Sequence, residues 1–287
     1  MREPLLKKYN SSMRLVTFSR GEAPRVGMVS GDRIVELGHP DMVSFLADPK
    51  RSGPSASAAS YPRPEVRIHA PIPRPPKFIL IGLNYRDHAI ESGMAIPSTP
   101  TVFCKYSNAV IGPGDPILLP AVSKEVDYEA ELAFVIGRRG KDIPADRWAD
   151  YVFGYTMVND VSARDYQRAT TQWTMGKTFD TFGPMGPELV SADEIADPHN
   201  LRIRCEVNGR VLQDSTTAQL VFRIPDLVAY LSQVMTLEPG DIVSTGTPPG
   251  VGFARKPPIF LQHGDEVVVK VEGLGELRNP VRNAGPA

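Results

Sequence analysis

The stretch Glu125-Val-Asp-Tyr-Glu129-Ala-Glu131-Leu-Ala-Phe-Val-Ile-Gly137 decides how this chain is read. On a β-strand, side chains two residues apart share a face, with Cα atoms about 6.5–7 Å apart. Glu129 and Glu131 therefore project together, and Glu125 and Asp127 belong to the same series. These acids lead directly into the apolar run 132–136, which solubility explains poorly. Like charges at the buried end of a strand repel unless a cation compensates them. Oxygen ligands select Mg²⁺, Mn²⁺ or Ca²⁺ over zinc and leave coordination sites for water and substrate. The alternative is a solvated edge strand whose acids discourage edge-to-edge pairing.

Three neighbouring stretches bear on the choice. The apolar run 152–158 ends in Asn159-Asp160-Val-Ser-Ala-Arg164-Asp165. Asp160 falls where a strand meets a loop, a position suited to a ligand and equally to a helix N-cap or turn. In Gly82-Leu-Asn-Tyr85-Arg-Asp-His88-Ala-Ile-Glu91-Ser-Gly93, a helical turn would put His88 and Glu91 on one face. The carboxylate could then orient the imidazole as a general base on a segment hinged at Gly82 and Gly93, or the two could form a surface or capping pair. In Gly176-Lys177-Thr-Phe-Asp180, Lys177 is either a partner for a substrate carboxylate or enolate, or a solvated loop lysine.

Residues 244–252, Ser-Thr-Gly-Thr-Pro-Pro-Gly-Val-Gly, offer hydroxyls and backbone N–H groups. They suit carboxylate capture or a plain tight turn. No Gly-Lys-Ser/Thr follows, so this is not a phosphate-binding P-loop. His39, His69, His199 and His263 have no comparable neighbourhood and are expected to be structural or solvated.

The whole chain, 287 residues with 41% hydrophobic side chains and net charge −1, suits a soluble protein with one large core and a small appended domain. Its apolar runs, such as 78–83, fall far short of the ~20 residues of a membrane helix. The lack of a basic run argues against a nucleic-acid partner. Cys104 and Cys205 make neither a disulfide framework nor a zinc site, and point to a reducing, cytoplasmic location. With 24 glycines and 28 prolines the chain must turn often, which favours a strand-rich α+β fold over a helical bundle.

Residues 1–12 read as a polar tail without a signal-peptide pattern. Residues 13–66 read as a small β-rich domain with a hairpin turn at Ser30-Gly31-Asp32, a short helix over 41–48 and a Ser/Pro-rich mobile connector over 50–64. Residues 67–287 form the larger domain. Its clearest strands are 78–83, 117–119, 132–137, 152–158, 202–208, 241–244 and 266–271, with helices over 144–150 and 224–235.

In order along residues 78–280, the motifs Gly82-Leu-Asn-Tyr85 with His88-x-x-Glu91, Asp127-Tyr-Glu129-x-Glu131, Asn159-Asp160-x-Ser-Ala-Arg164-Asp165, Gly176-Lys177-x-Phe-Asp180 and Thr245-Gly-Thr247-Pro-x-Gly250-Val-Gly252 resemble the fumarylacetoacetate hydrolase superfamily. Within it the chain most resembles the fumarylacetoacetate-hydrolase-domain-containing proteins, a group that includes oxaloacetate-handling enzymes. The resemblance implies a mixed β-sandwich roll, a homodimer, and Mg²⁺ or Mn²⁺ held by Glu129, Glu131 and Asp160. It also implies a His88–Glu91 acid–base dyad on a lid, with Lys177 holding an enolate or orienting water. Tyr85, Lys105, Arg164, Gln167 and Thr247 would serve the substrate end. The expected activity is hydrolysis of a carbon–carbon bond in an acylpyruvate-type 2-oxo or 1,3-dioxo acid. Alternatives are oxaloacetate keto–enol tautomerase or decarboxylase, a related 2-hydroxydienoate isomerase, and a non-catalytic binding protein of the same fold.

Overall fold

The strand Ala130–Ile136 is buried along its whole length because it lies inside a sheet rather than at an edge. It pairs antiparallel with Val152–Asn159 on one side and Ile242–Ser244 on the other. The sheet continues through Gly183–Ser191 and Arg14–Ser19 in one direction. In the other direction it continues through Phe78–Gly82 and Thr101–Cys104. The computed structural model describes residues 12–285, so the expected tail, apart from Ser12, lies outside the described residues.

Alternation along Ala130–Ile136 assigns its side chains to two cores. Leu132, Phe134 and Ile136 pack with Ile203, Cys205, Val267 and Val269 of a second sheet. Ala133 and Val135 pack on the opposite face with Leu80, Met185, Leu15 and Phe45. With both faces covered, the strand reads as a continuous apolar run instead of an alternating one. The second sheet has five strands, ordered Arg210–Thr216, Arg202–Val207, Glu266–Val271, Gly275–Asn283 and Ile117–Leu119. The helix Ile224–Val234 buries Leu227, Val228 and Leu231 against the first core, as its 3.6-residue period dictates. Among the described residues, no helix is long and apolar enough to cross a membrane.

The N-terminal strands extend the main sheet. Arg25–Ser30 and Arg33–Glu36 form the expected hairpin, with Gly31 at φ +59 in the turn. Met13, Met42, Phe45 and Leu46 share a core with Phe78 and Met185 of the larger part. The short helix is Met42–Ala47, started by Asp41, whose side chain accepts the Ser44 N–H at 2.7 Å. Two expectations are corrected. The connector 50–64 is not loose throughout, since Ser60–Pro62 pairs with Arg33–Glu36 at the sheet edge, where a proline costs no inner ladder bond. The helix expected over 144–150 is the tighter 3₁₀ form, Ala145–Asp150.

Candidate active site

Strand register explains why three carboxylates meet. Ala130 faces Asn159 and Glu131 faces Val158 across the ladder, so Glu129 and Asp160 come next. The Asp160 N–H donates to the Glu129 carbonyl at 2.9 Å. One carboxylate oxygen from each of Glu129, Glu131 and Asp160 lies within 4.8 Å of the others, and all three residues are buried. The solvated-edge reading therefore fails. So does the N-cap reading of Asp160, whose carboxylate faces two lysines instead of helix N–H groups.

Buried cations approach these acids. Lys177 Nζ donates to Glu129 Oε2 at 2.8 Å and to Asp160 Oδ2 at 2.6 Å. Arg164 Nη2 lies 2.6 Å from Glu129 Oε1 and 2.8 Å from Asp127 Oδ2. Lys105 Nζ sits 2.8 Å from Asp160 Oδ1, donates to the Val161 carbonyl at 2.9 Å and also bonds the Lys177 carbonyl. Burial favours the neutral form of Glu129, but Arg164 and Lys177 outweigh it and hold the carboxyl well below the usual range. Glu131 is different. Burial raises its carboxyl well above the usual range, and the charges of Asp160 and Glu129 raise it further. Burial also lowers the Lys105 ammonium to about 8, with Asp160 pulling the other way. For Lys177 the balance reverses, because Asp160 and Glu129 outweigh burial and raise its ammonium.

The donor set fits a hard divalent ion. Glu131 accepts from Ser244 Oγ and from the Gly246 N–H, but has no ion-pair partner among the described residues. Asp160 Oδ1 is buried, and its partner among the described residues is the Lys105 ammonium at 2.8 Å. Buried Asp127, Glu129, Glu131 and Asp160 outnumber buried Arg164, Lys105 and Lys177 by one charge. A dication would turn that deficit into a single positive charge, which suits an anionic substrate.

The imidazole enters from the short helix Arg86–Glu91. His88 Nδ1 lies 2.9 Å from Glu91 Oε2, and Glu91 Oε1 accepts the Gly250 N–H at 2.8 Å. With Nδ1–H given to Glu91, Nε2 is the nitrogen that can take or give a proton. His88 lines a cavity of about 370 Å³ together with Glu129, Glu131, Lys177 and Thr247, which Phe103 and Trp173 wall with aromatic surface.

The 244–252 loop captures carboxylates, but they are the chain's own. The N–H groups of Gly246, Gly250 and Gly252 go to Glu131, Glu91 and Asp127 at 3.1, 2.8 and 2.7 Å. Gly250 is obligatory here: its φ is +103, and a Cβ would lie 2.1 Å from the Leu212 carbonyl oxygen. Asp127, which also accepts from the Phe253 N–H and pairs with Arg164, thus ties this loop to the acid cluster.

Several candidates for the substrate end sit differently from the expectation. Tyr85 is wholly buried in the core and does not line the cavity. Lys105 stands behind Asp160, and Arg164 is engaged by Asp127 and Glu129. Gln167 and Thr247 do line the cavity, and so does Arg164 while paired with those two acids. The Thr247 hydroxyl donates to the Ala130 carbonyl at 2.9 Å and accepts from Gln213 at 2.8 Å. Residues unassigned from sequence hold the site from behind. Asn159 Oδ1 accepts the Glu129 N–H at 3.0 Å, Ser244 bonds Glu131, and Gln213 Oε1 accepts the Ala130 N–H at 2.9 Å. Asn159 and Ser244 were within motifs already singled out, whereas Gln213 lies 83 residues from its partner and carries no local signal.

Residues 77–282 match the fumarylacetoacetate (FAA) hydrolase C-terminal family. A rat protein named as the mitochondrial oxaloacetate tautomerase Fahd2a is 49% identical, covering 94% of this chain and 92% of its own. Its human counterpart FAHD2A, also named as mitochondrial, is 45% identical over 94% of this chain and 91% of its own. Among solved structures, a 5-carboxymethyl-2-hydroxymuconate delta-isomerase from Mycobacterium smegmatis has TM-score 0.81 at 42% identity, covering 95% of this chain and all 100% of that one. A maleylpyruvate hydrolase from Sphingobium sp. SYK-6, in complex with manganese(II) and pyruvate, has TM-score 0.79 at 32% identity, covering 95% and 100%. The chain belongs to the fumarylacetoacetate hydrolase superfamily and is an enzyme of that group. The relatives' mitochondrial names overturn the expected cytoplasmic location. The free thiols of Cys104 and Cys205 do not distinguish one compartment from another.

Proposed function

We propose that this member of the superfamily is a divalent-metal-dependent oxaloacetate tautomerase, interconverting the keto and enol forms. The observation that carries the reading is the His88 ring, oriented by Glu91, lining one cavity with the Glu129 and Glu131 carboxylates and the Lys177 ammonium. Glu129, Glu131 and Asp160 would hold Mg²⁺ or Mn²⁺, whose chemistry there is Lewis-acid withdrawal of electron density from a 2-oxo acid. Tautomerisation moves one proton between C3 and the oxygen on C2. His88 Nε2 carries the C3 proton, and Glu91 stabilises the imidazolium that forms. Lys177 has three N–H donors, two of them given to Glu129 and Asp160. The third is available to hold negative charge on the C2 oxygen.

Carbon–carbon hydrolysis, the expectation from sequence, would use the same dyad to activate water. The 45–49% identity to two curated oxaloacetate tautomerases favours the tautomerase. The test follows enol absorbance with Mn²⁺-loaded enzyme, beside pyruvate release from an acylpyruvate. Enol loss well above the uncatalysed rate, without pyruvate release, is expected. Pyruvate release with enol loss at the uncatalysed rate would reject the proposal in favour of hydrolysis.

A further inference from the structure

We infer that Arg168 receives the outer carboxylate of a four-carbon 2-oxo dicarboxylate, and so makes the site prefer substrates charged at both ends. This rests on the tautomerase reading and names the residue that selects its substrate. Arg168 caps the helix Arg164–Gln167, its N–H donating to the Arg164 carbonyl at 3.0 Å. Residues four apart on a helix share a face, so Arg164 and Arg168 form one ladder. Phe253 lies beside both guanidinium groups, 4.5 Å from that of Arg164 and 6.0 Å from that of Arg168. Arg164 reaches inward to Asp127 and Glu129. Arg168 lines the same cavity with a side chain that is 56% exposed, which places it at the mouth.

Three cations line the cavity: Arg164, Lys177 and Arg168. The first two are held by buried acids, whereas Arg168 is paired only with Glu125 among the described residues. That pairing uses Nη2, and Nε donates to the Arg164 carbonyl at 3.2 Å. Nη1 has no partner among the described residues. Beside it, Gln167 accepts from Arg164 through Oε1 at 2.9 Å, so its amide N–H groups remain to be offered. This pair lines the same cavity as Glu129, Glu131 and Lys177, so it is open to the other end of a 2-oxo acid whose inner end is held beside Lys177 at the site that fits a dication. A second carboxylate there meets the positive charge with the free Nη1 N–H groups and the Gln167 amide, whereas a hydrocarbon tail would strip water from a guanidinium and return nothing.

Steady-state kinetics on Mn²⁺-loaded Arg168→Gln test this, with oxalate as an inhibitor that carries only the inner end. The expected result is a KM for oxaloacetate enol raised about 10- to 30-fold, kcat within about threefold, and an unchanged oxalate inhibition constant. Arg168→Lys, which keeps the charge, should recover most of the lost KM. An unchanged KM in Arg168→Gln overturns the inference. A parallel rise in the oxalate constant also overturns it, because the substitution would then have disturbed the inner site. Wild-type enzyme that leaves the enol unchanged removes the tautomerase reading itself. Wild-type turnover with an indifferent Arg168→Gln removes only this inference.

Discussion

Glu131→Gln should make the metal-free protein more stable while destroying its metal site. Burial, with Asp160 and Glu129 adding to it, raises the Glu131 carboxyl well above its ordinary 4.5. An acid raised on folding contributes stability below that ordinary value and loses it as pH climbs towards the folded one. At pH 7 that raised carboxyl costs the folded chain at most about 3.5 kcal/mol, from about 1.4 kcal/mol per pH unit above 4.5. Glutamine is neutral and nearly the same shape, and its oxygen can still accept from Ser244 Oγ and the Gly246 N–H.

In a chain of this size, a gain of that full size corresponds to a rise in melting temperature of roughly 7 °C at most. Calorimetry on chelator-treated protein at pH 5, 6, 7 and 8 should show little difference at pH 5. The gain of the variant should then grow with pH until the folded-state value is passed. Titration with Mn²⁺ should give a heat signal for wild type and none for the variant. A metal-free variant melting no higher than wild type at pH 7 and 8, or by a margin independent of pH, would refute the electrostatic account of the cluster.

Other consequences test separate parts of the site. His88→Ala should lower kcat by about 10²–10⁴ while leaving the Mn²⁺ titration unchanged, because the ring serves proton transfer and not the ion; equal loss of metal affinity would contradict that division. Prolonged chelator treatment should abolish turnover, and Mg²⁺ or Mn²⁺ should restore it. Gly250→Ala should lower the melting temperature and impair turnover together, because a Cβ would meet the Leu212 carbonyl oxygen at 2.1 Å in a loop whose amide holds Glu91. A variant with wild-type melting and activity would show that this loop does not position the dyad.

The cluster illustrates how conflict in a folded chain marks function. Three buried carboxylates crowd together, and Lys177, Arg164 and Lys105 pair with Glu129, Asp160 and Asp127, while Glu131 is left without a counterion among the described residues. A core built only for stability would replace such a group by an apolar one. Its retention follows if the missing charge is supplied by an ion that the protein uses.

Local pattern determined much of this protein from sequence alone. The strand through 132–136, the helix over 224–235 and the hairpin at Gly31 follow from period, burial and turn chemistry, which act over a few residues. Glu129, Glu131 and Asp160 were legible as acids at strand ends, and His88 with Glu91 as a helical pair. Tertiary structure decided the rest. Whether 130–136 lay inside a sheet or at its edge depended on Ile242–Ser244, more than a hundred residues later in the chain. The amides of the 244–252 loop found Glu91, Asp127 and Glu131, and Lys105 came to stand behind Asp160. Periodicity tells which residues seek burial, but the partners they meet are set by long-range strand pairing, which a one-dimensional pattern does not encode.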